Sequence, residues 1–363
     1  MKLRKSIIYF VVILIMVACR TNGPQKGEKW IAMHFLNYNS DADIEKLGQL
    51  MPDISNKGIN VCVLEVDYHF QYKSHPELVQ ADGSISFEAA QKFAKICHEL
   101  DMKLFIEFQT LGHQSWAGQT FPLLTVYPEL DIVPGEYPDN KGPIHFDFRE
   151  YDPDYPGVNE FYCREWDPMN PKVNEIVFSL LDELIDAFDA DGIHVGMDEV
   201  FLLGNEKSPT TKGMNPADLY AKVINDFHGH IVKKRGIEMM MWADRLINSK
   251  EHTYGEWEAS AYGTAPAVNM IPKDIIMCDW HYEPLENYGL SDYTSVLMFM
   301  DKGFRVLPTS WRDIEACKSL IQSSLKYKDE KMLGHLFTAW GKYRDPLNYA
   351  PMLSGTKIIL NIK

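Results

Sequence analysis

Asp191-Gly192-Ile193-His194-Val195-Gly196-Met197-Asp198-Glu199-Val200 is a short apolar run that stops at two adjacent carboxylates. Ile193, Val195 and Met197 supply the apolar positions of a buried strand, and Gly196 leaves room for another group to approach the backbone. Two neighbouring acids at the C-terminal end of a strand repel each other and resist desolvation. A fold that keeps them there has a use for them, such as proton transfer to a sugar oxygen. An acidic N-cap on the following helix is the other reading, because the first N–H groups of a helix donate to carboxylates. The surrounding chain separates the two.

Working outward, further apolar runs occur at 30–36, 59–66, 103–108, 237–242, 275–280, 304–308 and 333–338, which with 192–197 makes eight strand candidates. Helical patterns lie between most of them, at 43–55, 87–100, 173–188, 216–234, 293–302 and 313–327. In the third of these, Val173, Val177, Leu180, Leu181, Leu184 and Phe188 recur at helical spacing and define one apolar face. Near-continuous apolar strands alternating with amphipathic helices predict a parallel sheet closed into a single-domain α/β (β/α)8 TIM barrel. An open doubly wound sheet would usually offer a Gly-rich phosphate turn after its first strand, and none follows 30–36. The stretch 110–168 is long for a βα loop and rich in Tyr, Pro, Asp and Gly, which predicts a functional rim. The last helix is expected to be short or irregular.

The chain opens Met1-Lys2-Leu3-Arg4-Lys5, and an apolar run then leads to Met16-Val17-Ala18-Cys19. A basic start, a short apolar core and small residues before the break predict a secretory leader over 1–18. The run is too short for a spanning helix. The segment resembles a bacterial lipoprotein signal, which implies lipidation of Cys19, a tether over 19–29 and a cell-envelope location with the barrel over 30–363. An ordinary leader with an incidental cysteine is the alternative. The formal net charge of −15 opposes binding to nucleic acid or anionic lipid, and loss of Lys2, Arg4 and Lys5 with the leader would make the chain more acidic still. Contact with a membrane is therefore expected only through the N-terminal lipid. Cys62, Cys97 and Cys278 sit in apolar runs and read as buried thiols, and no CxxC or Cys/His pairing has metal-ligand spacing. Neither a metal nor an organic cofactor is expected.

In such a barrel the site lies at the C-terminal ends of the strands. In chain order those ends offer His34 and Asn37; Asp67, Tyr68 and His69; Glu107, Gln109, His113 and Trp116; Asp198 and Glu199; Trp242 and Asp244; Asp279, Trp280 and Tyr282; Ser310 and Trp311; and Trp340 and Lys342. Carboxylates among aromatic walls suit a sugar ring, whose C–H faces stack on indoles while its hydroxyls bond to acids. A barrel also buries tryptophans for packing alone, but Trp242, Trp280 and Trp340 end three separate strands.

His194-Val195-Gly196-Met197-Asp198-Glu199-Val200 resembles the His-x-Gly-Gly-Asp-Glu signature of family 20 glycoside hydrolases, the β-N-acetylhexosaminidases. The resemblance extends through Gly58-Ile59-Asn60 to Asp67, His75-Pro76-Glu77-Leu78, Glu107 to Gly112-His113, Tyr127-Pro128-Glu129-Leu130, Met241-Trp242-Ala243-Asp244 and Phe337-Thr338-Ala339-Trp340. It implies substrate-assisted retention, in which the substrate's 2-acetamido oxygen attacks the anomeric carbon. On that pattern Glu199 is the general acid/base and Asp198 orients the acetamide. Tyr282 donates to the acetamide oxygen, while Trp242, Trp280 and Trp340 box its methyl group and the ring. Asp67, His113 and Asp244 complete the substrate-binding set, His194 is a supporting or core histidine, and the Asp198 anion is expected to raise the pKa of Glu199. The implied partner is a glycan with a terminal N-acetylhexosamine.

The chain departs from the pattern at several places. Ala32-Met33-His34 lacks the arginine that the family usually carries on its first strand, and Gln109 and Leu111 replace an aspartate and a proline. Met197 replaces the signature's second glycine, and Lys342 stands where an acid is common. The first strand starts close to the tether, so the N-terminal α/β domain of many members is not expected. These departures keep open a glycan-binding lipoprotein that retains the barrel without turnover. Asp67 or Asp244 as a conventional carboxylate nucleophile is a third reading.

Overall fold

The computed structural model describes residues 27–116, 119–134, 164–327, 329–340 and 345–361. The leader, Cys19, most of the tether, Cys163 and Lys342 lie outside the described residues, as does the middle of the long 110–168 stretch.

All eight strand expectations are met. The strands are Trp30–Phe35, Val61–Glu65, Lys103–Thr110, Gly192–Gly196, Glu238–Trp242, Ile276–Cys278, a seventh in two pieces (Arg305–Val306 and Thr309–Ser310), and Gly334–Phe337. Neighbours pair in parallel from the eighth through the first to the sixth. The seventh strand closes the ring, its first piece pairing with the sixth and its second with the eighth. The break falls at Leu307-Pro308, where proline has no N–H to give to the ladder. Closure continues through main-chain bonds from Leu307 N to Met277 O (2.8 Å), from Thr309 N to Asp279 O (2.8 Å) and from Leu336 N to Pro308 O (2.9 Å).

Two separate apolar clusters follow from the alternation of strand side chains. Ala32, Val63, Phe105, Met240, Leu307 and Leu336 fill the barrel interior with their neighbours. The opposite strand faces pack against the surrounding helices in a larger cluster. Glycine is required at position 192, since a Cβ there would come within 2.2 Å of the Phe105 ring.

The helices begin where the sequence supplies caps. Ser40, Ser86, Asn170, Asn215 and Asp313 each accept from a backbone N–H in the first turn of the helix that follows, and Pro171 and Pro216 open two of those helices. The helix Pro171–Phe188 buries Val173, Val177, Leu180, Leu181, Leu184 and Phe188, the face read from the spacing. The expected 216–234 helix is regular over Pro216–His228 and continues as a π-turn over Gly229–Lys234. The expectation of a short last helix is corrected, because Ala350–Asn361 forms a helix of 12 residues. Pro351, Gly355 and Thr356 lower its helix propensity, but proline is tolerated in a first turn and the burial of Met352 and Ile359 fixes the rest.

Candidate active site

The first four strands leave the barrel through strained backbone. Asn37 (φ 65°), Asp67 (47°), Leu111 (62°), His113 (49°), Met197 (72°) and Glu199 (49°) all have left-handed φ just past a strand end. Non-glycine residues avoid this region, and when they gather at one rim the packing around them is holding a geometry the backbone does not prefer. Among the described residues only Asp101 and Asp189 share this feature elsewhere.

Beyond the fourth strand, Gly196 (φ 64°) and Met197 turn the chain. Met197 goes into the helix-facing core, and its carbonyl accepts from Tyr220 Oη at 2.7 Å. The turn presents Asp198 and Glu199 to one histidine: His113 Nε2 lies 3.2 Å from Asp198 Oδ2 and 3.2 Å from Glu199 Oε2. The imidazole thus relieves the repulsion between the paired acids. Gln109 Nε2 donates to the other Asp198 oxygen. The third strand shifts register between Glu107 and Thr110, where a bulge re-aims Gln109. Its amide oxygen then sits so close to Gly196 that a Cβ there would be 1.7 Å away. This is the close approach to Gly196 that the sequence implied. Burial alone would raise the pKa of Asp198, but His113 and Gln109 outweigh it and hold Asp198 below the ordinary aspartate range.

Asp244 holds the backbone of Glu199, and Asp67 holds the backbone of Gln109. Asp244 Oδ2 accepts from Glu199 N at 3.0 Å and from Arg245 Nε at 2.6 Å, and Asp244 Oδ1 accepts from Trp280 Nε1 at 3.3 Å. Asp67 Oδ1 accepts from Gln109 N at 2.6 Å. Burial pushes Asp244 up to about 6 against the pull of Arg245, and pushes Asp67 up to about 7.

Beneath them, Glu107 collects one indole donor and two close imidazole nitrogens. Trp242 Nε1 is 2.9 Å from Oε1, His194 Nδ1 is 3.1 Å from Oε1, and His34 Nε2 is 2.5 Å from Oε2. Burial opposes ionisation here, but the two imidazoles prevail and hold Glu107 well below the usual carboxylate range. His34, Glu65 and Glu107 offer metal-type ligand atoms within 4.8 Å of one another. His34 Nε2 lies 2.5 Å from Glu107 Oε2.

The opposite rim is aromatic. Trp280 stacks on Tyr282 with centroids 4.7 Å apart, Trp340 Nε1 donates to Tyr282 Oη at 2.7 Å, and the Trp242 and Trp340 rings lie 5.8 Å apart. The structure therefore brings Asp67, His113, Asp198, Glu199, Trp242, Asp244, Trp280, Tyr282 and Trp340 to one end of the barrel. Trp242 is its deepest member, only 1% exposed and with its N–H committed to Glu107. His194 is fully buried, and its ring lies tilted against Trp242 with centroids 4.3 Å apart. The sequence reading passed over Gln109 as a binding partner, as well as Glu65, Arg245 and Glu258. The bulge that aims Gln109 and the chain separations behind the other contacts leave no periodic trace.

The model of the glycosyl hydrolase family 20 catalytic domain matches residues 69–352. Solved structures share the fold at low identity. A chitobiase from Flavobacterium johnsoniae superposes with a TM-score of 0.63 at 16% identity, covering 90% of this chain and 47% of that one. A β-N-acetylhexosaminidase from Bacteroides fragilis gives 0.58 at 12% identity over 91% of this chain and 65% of that one. An exo-β-N-acetylglucosaminidase from Vibrio harveyi, solved with N-acetylglucosamine, gives 0.57 at 14% identity over 92% and 57%. The chain thus spans about half to two thirds of the length of these structures. No curated protein matches it.

Proposed function

This chain belongs to glycosyl hydrolase family 20, and on that premise we propose that it removes terminal β-linked N-acetylhexosamine from glycans by substrate-assisted retention. The observation that carries the reading is the Asp198–Glu199 pair joined through His113 at 3.2 Å to each. Glu199 gives its proton to the glycosidic oxygen as the bond to the anomeric carbon breaks, and the leaving sugar departs as an alcohol. The substrate's own acetamide oxygen closes on the anomeric carbon to give a cyclic oxazolinium. Asp198, kept ionised by His113 and Gln109, accepts the acetamide N–H and spreads the positive charge that develops there. Tyr282 donates to the acetamide oxygen. Water then attacks the anomeric carbon and Glu199 takes its proton back, restoring the enzyme with retained configuration. The aromatic rim supplies the stacking face.

Asp67 and Asp244 are poor candidates for a conventional nucleophile, because each already accepts a backbone N–H from the catalytic loops. Hydrolysis of aryl β-N-acetylglucosaminide and β-N-acetylgalactosaminide, beside Glu199→Gln, tests the reading. Release that disappears in the variant supports it. Binding of N-acetylglucosamine with no release by either protein would instead favour a glycan-binding barrel. We also place the protein in the cell envelope, anchored through a lipid on Cys19 after loss of 1–18. Labelling with a fatty-acid probe should be lost in Cys19→Ser.

A further inference from the structure

Behind the sixth strand lies a buried ionic cluster that the mechanism above does not use. His281 Nδ1 is 2.8 Å from Glu258 Oε2, and its Nε2 is 3.2 Å from Asp279 Oδ1 and 2.9 Å from Ser295 Oγ. Ser295 Oγ donates to Asp279 Oδ2 at 2.7 Å, and Tyr288 Oη donates to both Glu258 oxygens at 2.9 and 2.7 Å. All three ionisable groups are buried. Burial draws the His281 pKa down, but Asp279 and Glu258 overcome it and hold the imidazole well above the ordinary histidine range. Such a cluster is costly to desolvate and is weak evidence for stability in itself, so its retention calls for another account.

The account lies in what Glu258 holds. Pairing with the seventh strand continues as far as His281, whose N–H bonds to Thr309 O at 3.0 Å, so Tyr282 is the first residue past the ladder. Glu258 Oε1 accepts from the backbone N–H of Tyr282 at 3.2 Å and replaces a strand partner there. On the other side of the same residue, Trp340 Nε1 donates to Tyr282 Oη at 2.7 Å. That bond occupies the hydroxyl as an acceptor and leaves its own hydrogen to point at something else. The residues flanking Glu258 are tied in turn, since Arg245 donates to Trp257 O at 2.6 Å and to Ala259 O at 3.3 Å. Arg245 is paired with Asp244, which holds Glu199 N. One continuous set of bonds therefore runs from the backbone of Glu199 to the backbone of Tyr282.

We propose that Glu258 is a positioning residue: it fixes the Tyr282 hydroxyl relative to Glu199 from behind the sheet, so that the hydroxyl meets the reacting acetamide as an oriented donor. This rests on the hydrolase reading above. Glu258 reaches the site through the backbone N–H of Tyr282, and its influence passes through that residue.

The test is a double-mutant cycle with aryl β-N-acetylglucosaminide, combining Glu258→Gln with Tyr282→Phe, together with a crystal structure of Glu258→Gln. Glu258→Gln should lower kcat by about tenfold or more in the parent, with a smaller change in KM. In the Tyr282→Phe background it should cost less than about twofold, because the group it positions is already gone. Equal losses in both backgrounds would overturn the proposal and leave the cluster a structural one. If Glu258→Gln folds poorly, Tyr288→Phe loosens the same carboxylate without stranding a charge and should show the same non-additivity, more weakly. The crystal structure reads the position without turnover. Tyr282 Oη should leave hydrogen-bond distance of Trp340 Nε1, and an unmoved hydroxyl refutes the idea even if the parent hydrolyses neither aryl sugar, an outcome that would count against the hydrolase reading alone.

Discussion

The two halves of the barrel mouth are built from different physics. Strands two to four lead into titratable groups on strained backbone: Asp67, His113 and Glu199 all have positive φ, and Asp198 stands between two that do. Strands five, six and eight lead into indoles, and each spends its N–H on a partner: Trp242 on Glu107, Trp280 on Asp244, Trp340 on Tyr282. An indole needs only a wall and one acceptor, and packing supplies both. Two adjacent carboxylates need a cation between them, donors on their outer oxygens and a backbone turned to meet those groups. On the proposed mechanism proton transfer belongs to the first half and sugar stacking to the second, and substitutions should divide the same way.

The largest effect is expected on the charged side. Glu199→Gln keeps the shape and removes the proton donor, so kcat should fall by about 10³-fold. Asp198→Asn keeps an acceptor oxygen but loses the charge, and about 10²-fold is expected. A smaller loss at Glu199 than at Asp198 would contradict this division of labour. Gln109→Glu comes next. It sets a carboxylate against Asp198 where an amide now donates, so Asp198 should be harder to ionise. The acid limb of the kcat/KM profile should move up by about one pH unit. A profile that keeps its shape while the rate drops would mean that Gln109 serves packing alone.

The aromatic side should be more forgiving. Trp340→Phe retains a stacking face and deletes the bond to Tyr282 Oη. Roughly tenfold in kcat/KM is expected, about what loss of a single oriented hydrogen bond is worth. A loss as large as that of Glu199→Gln would erase the contrast between the halves.

The same contrast explains what the sequence disclosed. Strands such as Lys103–Thr110 and helices such as Pro171–Phe188 were legible because burial imposes a period on neighbouring residues. Asp198 and Glu199 were legible because charge at the end of an apolar run is anomalous. The groups that organise them were not. Trp242 meets Glu107 across 135 positions of chain, and Gln109 meets Asp198 across 89. No local pattern encodes such a distance. The third-strand bulge and the break at Pro308 are single-residue events inside otherwise regular runs. Gln109 looked like a mere departure from a motif because its meaning depends on Gly196 lying opposite it.

The smallest effect concerns stability and follows from the carboxyls that support the charged half. Asp67 is raised to about 7, Asp244 to about 6 and Glu165 to about 8, in each case mainly by burial. Glu165 accepts from the backbone N–H groups of Phe201 (2.5 Å) and Leu202 (2.7 Å), just past Asp198 and Glu199. In the unfolded chain these groups lose their protons near pH 4, so between about 4 and 8 the native state binds more protons than the unfolded one. Stability therefore falls as pH rises through that window, opposite to the behaviour of Asp198 and Glu107, whose depressed values favour the folded state above about pH 4. Thermal unfolding should show Tm declining from pH 5 to pH 8. Asp67→Asn should flatten part of that decline, because an amide can still accept from Gln109 N without having to shed a proton. A Tm that rises steadily over the same range, in parent and variant alike, would show that the raised carboxyls do not govern the balance. The strained half of the mouth would then be held by packing and not by its protonation state.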